Sequence, residues 1–365
     1  MNNVIYKDNL FILDIEADTP RKRGQIHGEA LRGAIGIGLD RWKSTISGLG
    51  LDPEKMISHF VNETDYQSAI EKWTPDLLQE VKGLAEASGQ DFNTIYTYQL
   101  MDDFFGYVLK NLPGPHCTSI GIAGNDNRSA IISQNQDMPV CYNGTQTVIR
   151  MHYKETGLRT LIFTLAGNIG QNIANNHGLG LAINTLGFLE NSAVGLPSMF
   201  IVRRIGEQKS LADVESFLNT VTHSAGMNYM VGVGKQVADF EVCLETVKRY
   251  EGSSAGRYIC HTNHPFVNKN LQTEYVGKMN DAFIDDTFMN SASRLKKAEE
   301  IMAGGPAVYN SSYLKKLYKQ KPVCLRGDLG ETVASIIFEL GDNPVLHIAP
   351  GCPDTTEFQS IKLIN

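Results

Sequence analysis

Gly114-Pro115-His116-Cys117-Thr118-Ser119 is the stretch on which the reading of this chain turns. It stands where a helix-patterned first third gives way to a strand-patterned remainder. Gly-Pro fixes the local backbone and discourages helix, so the peptide bond ahead of Cys117 is expected on a tight corner. From residue type alone the cysteine is either a small packing group or a nucleophile.

Downstream, the texture is alternation. Ile120 and Ile122, a turn at Gly124-Asn125-Asp126-Asn127, and Ala130-Ile131-Ile132 leading into Gln134-Asn135-Gln136-Asp137 predict a β-hairpin headed by Cys117. Further strands are expected over 147–154, 161–165, 172–174, 179–184, 227–233, 237–244 and 257–260, and a closing pair over 333–340 and 344–348. Helices are expected from Ser210, over 291–302 and around 313–318.

Upstream, a strand or hairpin over 4–16 is followed by a helix entry at Thr19-Pro20. Ile26, Ala30, Ala34 and Ile37 then recur at helical spacing along one long helix. Gly24, Gly28, Gly33, Gly36 and Gly38 on it suggest close approach of another backbone. They do not follow a strand and open a helix, as a phosphate-binding glycine loop requires. Residues 52–110 predict three or four helices, with Leu77, Leu78, Val81, Leu84 and Ala85 inward and Asp76 and Glu80 toward solvent. Asp102 and Asp103, adjacent on a helix, do not face one site. Two strand layers flanked by helices is the expected architecture, with no internal repeat or linker.

The chain has 365 residues, 42% hydrophobic, with a formal net charge of −7. That suffices for a large core and offers no basic cluster dense enough for nucleic acid. No secretory pattern opens the chain and no apolar run is long enough to span a membrane, so a cytoplasmic protein is expected. Cysteines 117, 141, 243, 260, 324 and 352 are scattered without a C-x-x-C pair, so neither structural zinc nor disulfides are expected. The partner that fits is a small molecule, and homo-oligomerisation stays open.

Cys117-Thr118-Ser119, followed by the aspartate of Gln134-Asn135-Gln136-Asp137, resembles the isopenicillin N acyltransferase-like family of N-terminal-nucleophile cysteine hydrolases, related to the choloylglycine hydrolases. Arg23-Gly24-Gln25-Ile26-His27-Gly28 looks like that family's first helix. Asn184 in Ala182-Ile183-Asn184-Thr185 falls where the family places an oxyanion residue. Thr262-Asn263-His264-Pro265 and Ser291-Ala292-Ser293-Arg294 resemble further segments of the choloylglycine relatives. Where those hydrolases carry an arginine three residues before the aspartate, this chain has Gln134, which argues against bile-salt hydrolysis.

The resemblance implies an α+β fold, an αββα sandwich formed as one domain over residues 1–365. It implies self-cleavage between His116 and Cys117 into a helix-rich chain of 1–116 and a strand-rich chain of 117–365. It implies that the freed α-amino group serves as base for the Cys117 thiol. Asp137 would hold and polarise that group, Asn184 would stabilise the oxyanion, Asn263 would orient the amine and Arg294 would supply a fixed charge. Read without the family, Asp137, Asn184 and Asn263 are turn formers and Arg294 is a helix-surface arginine. No cofactor and no metal is implied.

The expected activity is hydrolysis of a small N-acyl or peptide-like amide, with acyl transfer to an amine as one alternative and an uncleaved, non-enzymatic binding module as another. A papain-like protease is the first rival, but Asn111 and Thr118 stand where that signature needs Gln and Trp. His261 and His264 lack a third metal ligand in view.

Overall fold

The computed structural model describes residues 4–108, 116–252, 257–327 and 330–364. Gly114-Pro115 lies outside the described residues, but the His116–Cys117 bond expected on a tight corner lies within the extended strand His116–Ile122, held by ladder pairing. The chain starts with an antiparallel hairpin of Val4–Lys7 (β1) and Leu10–Ala17 (β2). Thr19 then caps Pro20–Ala30 (α1), its hydroxyl accepting from Lys22 N–H, with Pro20 at the first turn as the sequence predicts. The long helix expected after it is broken at Leu31, and Arg32–Gly48 (α2) continues in a new direction.

Residues 52–110 form five helices among the described residues, more than expected. They are Pro53–Glu63 (α3), Tyr66–Trp73 (α4), Pro75–Ser88 (α5), Phe92–Gln99 (α6) and Met101–Val108 (α7). Asp52, Asp65 and Asp91 each cap a new start with a side-chain oxygen, dividing what apolar spacing alone reads as continuous.

The strand-rich part opens with His116–Ile122 (β3) and Ile131–Met138 (β4), the predicted hairpin, with Cys117 opposite Gln136 and His116 opposite Asp137. Then come Gln146–Tyr153 (β5), Arg159–Leu165 (β6), Asn172–Asn175 (β7) and Leu179–Thr185 (β8). Helices Ser198–Ile205 (α8) and Leu211–Leu218 (α9) follow; the first was not expected. Next are His223–Val233 (β9), Gln236–Leu244 (β10), Thr246–Tyr250 (β11) and Tyr258–His261 (β12). Helices Asp281–Thr287 (α10), Ser291–Ala303 (α11) and Ser311–Tyr318 (α12) precede Glu331–Glu339 (β13), Val345–Ala349 (β14) and Gln359–Lys362 (β15).

These strands make two sheets, ordered β1-β2-β5-β6-β7-β8-β9-β10-β11 and β12-β3-β4-β13-β14-β15. The β2–β5 pair is parallel and joins the N-terminal hairpin to the strand-rich part. Strand alternation sends Ile132, Ala334, Ile336 and Phe338 of one sheet against Val148, Phe163, Ala182 and Met230 of the other. The outer face of the larger sheet packs on the helices from α1 to α9, and the outer face of the smaller one on α11 and α12. The architecture is therefore α+β, an αββα sandwich.

Backbone contact between α1 and α5 is what the glycines allow. A Cβ on Gly24 would come 1.8 Å from the Glu80 carbonyl oxygen, and one on Gly83 2.1 Å from that of Arg21. Gly33 and Gly36 take no part, because they lie beyond the break and face open space or one side-chain end. The solvent-facing expectation for Glu80 is wrong. Its carboxylate is buried and receives Arg203 Nη1 at 2.6 Å and Nη2 at 2.9 Å, with Arg23 Nε at 3.7 Å. Two guanidinium groups from neighbouring helices compensate a charge that period-3.6 patterning sends outward.

Candidate active site

Cys117 is the second residue of β3 and lies against the other sheet; its thiol is buried. The backbone of Cys117 is gripped from both sides. Its N–H donates to Asn263 Oδ1 at 2.8 Å, and its carbonyl accepts from Arg294 Nη1 at 2.6 Å. Arg294 also donates to Thr118 Oγ1 at 3.0 Å and, through Nη2, to Asn263 Oδ1 at 2.8 Å. One asparagine oxygen thus receives both the Cys117 amide and the guanidinium. Arg294 is fully buried one turn into α11, so the helix-surface reading fails.

Asn263 follows β12 and is itself held. Its N–H donates to Ser291 Oγ at 2.8 Å and its Nδ2 to the Thr185 carbonyl at 3.0 Å. Ser291, first residue of α11, also meets His264 Nδ1 at 2.9 Å. Two residues earlier, His261 lies between two acceptors, with Nε2 at 3.0 Å from Glu241 Oε1 and Nδ1 at 2.8 Å from the Thr262 carbonyl. Those contacts make it an imidazolium, its pKa raised by Asp239 and Glu241 against the cost of burial. Glu241 further accepts N–H groups from Phe266, Val267 and Asn268, which clamps the loop carrying Asn263. The two histidines that suggested a metal pair point to different partners and are structural.

Asp137 is the last residue but one of β4, opposite His116. Thr332 Oγ1 donates to its Oδ1 at 2.5 Å, while Oδ2 is buried without a partner among the described residues. Burial raises its carboxyl from 3.8 to about 7, against the lowering pull of Arg294 and Thr332. Burial likewise pushes the Cys117 thiol well up; Asp137 adds to the rise, while Arg294 and the Asp137 backbone N–H donating to sulfur oppose it. The thiol of the continuous chain is therefore protonated, and the carboxyl beside it titrates near neutrality. His116 is no base, because burial holds its imidazole well below the usual range, and its ring packs edge-on to Phe288.

Asn184 ends β8 in the opposite sheet. Its Oδ1 accepts from Ser119 Oγ at 2.8 Å and from Asn228 Nδ2 at 3.2 Å, and its Nδ2 is buried without a partner among the described residues. Of the five side chains expected from the sequence, Asn263 and Arg294 share one hydrogen-bond network with the Cys117 backbone and Asp137 flanks the thiol, while Asn184 lies outside that network and meets the same strand at Ser119, two residues on from Cys117. Sequence reasoning missed Thr332, which carries no motif and reaches Asp137 only because β13 pairs with β4. It also missed Glu241, one more acidic residue on an alternating strand. Asp102 and Asp103 diverge as predicted, Asp102 taking Ser198 Oγ at 3.2 Å. Burial raises the carboxyl of Asp102 to about 6, and Asp102 in turn adds to the rise of the Cys117 thiol.

The family model described as acyl-coenzyme A:6-aminopenicillanic acid acyl-transferase matches residues 123–345, more than half of the chain. The match begins just beyond β3 and includes Asp137, Asn184, Asn263 and Arg294. No curated protein sequence matches. Among solved structures, a mutant conjugated bile acid hydrolase from Clostridium perfringens is similar at a TM-score of 0.46 and 11% identity, covering 67% of this chain and 92% of that one. A penicillin V acylase from Agrobacterium tumefaciens is similar at 0.46 and 11%, covering 67% and 86%. Among the described residues no helix is long and apolar enough to cross a membrane.

Proposed function

The chain belongs to the acyl-coenzyme A:6-aminopenicillanic acid acyl-transferase family, and from that premise we propose that it is a self-processing cysteine enzyme cleaving a small N-acyl or peptide-like amide through a thioester on Cys117. The observation that carries the reading is the cradle around the Cys117 backbone. Asn263 Oδ1 already sits 2.8 Å from the nitrogen that self-cleavage would turn into an α-amine. A packing cysteine has no use for a buried arginine and asparagine aimed at its own peptide groups.

In self-cleavage, Asp137 takes the thiol proton and Cys117 Sγ attacks the His116 carbonyl carbon. The bond from that carbon to the Cys117 nitrogen breaks, and the nitrogen takes the proton from Asp137. Water then adds to the thioester and its carbon–sulfur bond breaks, leaving a His116 carboxylate and a free Cys117 amine and thiol. During turnover the α-amine, held and polarised by Asp137 and with a reference pKa of about 8, takes the thiol proton at neutral pH. The thiolate attacks the substrate acyl carbon while Asn184 Nδ2 donates to the oxyanion. The leaving amine takes the proton back, and water or an acceptor amine releases the acyl group.

Screening purified protein against N-acyl amines, β-alanyl amides and phenoxyacetyl amides for release of free amine tests the reading. Wild type is expected to release amine from one class and Cys117→Ala from none. Diversion of product from free acid by an added amine would mark transfer. Turnover persisting in Cys117→Ala would overturn the assignment.

A further inference from the structure

Beyond the site, the fold brings together two cysteines that lie 28 positions apart in the chain (352 − 324). Cys324 lies in the turn after α12 and Cys352 in the loop after β14, so neither is locked in regular structure. Their sulfurs and a carboxylate oxygen of Asp354 all lie within 4.8 Å of one another. Both thiols are buried beneath an ion pair that is part-exposed, Arg326 at 39% and Asp354 at 30%.

Two chemistries suit such a cluster, a metal ion or a dithiol. Arg326 decides between them. Its Nε and Nη2 reach the two oxygens of Asp354 at 3.1 and 2.6 Å, and Nη2 also reaches Thr355 Oγ1 at 2.7 Å. The third metal ligand is therefore already engaged at both oxygens, and a cation would sit beside a fixed positive charge. The same charge favours a thiolate. The closeness of the two sulfurs adds to this, lowering the Cys324 thiol and raising that of Cys352.

We propose that Cys324 and Cys352 are a redox-active dithiol whose closure to a disulfide weakens the site at Cys117. The Cys324 thiolate attacks one sulfur of a small-molecule disulfide such as oxidised glutathione and expels a glutathione thiolate. Cys352 gives its proton to the first departing glutathione thiolate, and its sulfur then attacks the Cys324 sulfur of the mixed disulfide and expels the second. Two cysteines are oxidised to one disulfide, one disulfide is reduced to two thiols, and the two cysteine protons pass to the departing thiolates.

The link to the site is a short relay through Leu325. The Leu325 carbonyl accepts from Cys352 Sγ at 3.6 Å and from Thr332 N–H at 3.0 Å, and Leu325 N–H donates to Thr332 Oγ1 at 2.9 Å. That hydroxyl donates in turn to Asp137 at 2.5 Å. Disulfide formation removes the Cys352 S–H donor and draws the chain before Leu325 toward the loop after β14. Thr332 is thereby displaced from Asp137.

The test is titration of the full chain with reduced and oxidised glutathione, followed by non-reducing peptide mapping. The Cys117→Ala chain serves for mapping, so that the nucleophile does not contribute. A peptide linking Cys324 to Cys352, lighter by two hydrogen atoms, is expected. No such peptide at any glutathione ratio, or stoichiometric zinc on the reduced chain lost in Cys324→Ala, would overturn the assignment. Mapping needs no substitution within the pair and no activity, so it stands apart from the proposed amidase reaction. Oxidised wild type is expected to lose amidase activity about tenfold relative to oxidised Cys324→Ala/Cys352→Ala, the worth of one hydrogen bond to a charged group. An equal response of the two proteins would overturn the relay.

Discussion

Under the proposed mechanism a single carboxyl, that of Asp137, sets when the chain would cut itself. Its raised value, about 7, makes the basic form appear only as pH rises through neutrality. Protein made by cell-free translation is therefore expected to self-cleave at a rate that climbs with pH and inflects near that value, and Asp137→Asn is expected to lose the inflection with nearly all of the rate. Stability runs the other way. Because burial lifts the carboxyl above its unfolded value of 3.8, its favourable contribution is complete below that value and disappears as pH rises through about 7. In a Cys117→Ala background, the additional Asp137→Asn change is expected to gain stability relative to its parent as pH goes from about 5 to about 8, read by urea denaturation. Asn184 makes a different prediction. If its unpaired Nδ2 meets the oxyanion, Asn184→Ala lowers kcat by about 100-fold and leaves KM nearly unchanged.

Elements hold these residues through contacts that periodicity does not reveal. Gly83→Ala sets a methyl group against the Arg21 carbonyl and is expected to cost about 2 kcal/mol as α1 and α5 are forced apart. Arg203→Met leaves Glu80 with Arg23 at 3.7 Å as its remaining charge partner and is expected to cost about 3 kcal/mol, part of it recovered when Glu80→Gln is added. Both are read by thermal or urea unfolding. The same two elements mark the limit of sequence reasoning. Caps and turns were legible: Thr19-Pro20, the turn after Ile122 and Ser210 all stand where their chemistry predicts. The break at Leu31 falls between Gly28 and Gly33, neither of which takes a left-handed φ there, and no Pro marks it. The inward Glu80 looked exposed because its partner, Arg203, lies on α8, an element that apolar spacing did not disclose.

On the scale of the whole molecule, the residues of the candidate site were legible in the sequence and their supports were not. Cys117, Asp137, Asn184, Asn263 and Arg294 stand in motif-like segments, whereas Thr332, Glu241 and the Cys324–Cys352 pair acquire their neighbours only through strand pairing and loop packing. The division proposed at Cys117 is equally a matter of topology. Strand β2 pairs in parallel with β5, and the N-terminal helices share one core with the outer face of the larger sheet. Cutting before Cys117 therefore frees a new terminus without freeing either part, and the protein is expected to elute as one particle whether cut or not.

Intact mass of the purified wild-type protein under denaturing conditions, beside Cys117→Ala, tests the central claim most directly. The account predicts two wild-type chains whose masses equal residues 1–116 and 117–365, the second beginning with an unblocked cysteine, and one uncut chain in the variant. A single wild-type chain that nevertheless turns over an amide, or a variant that still divides, would contradict it.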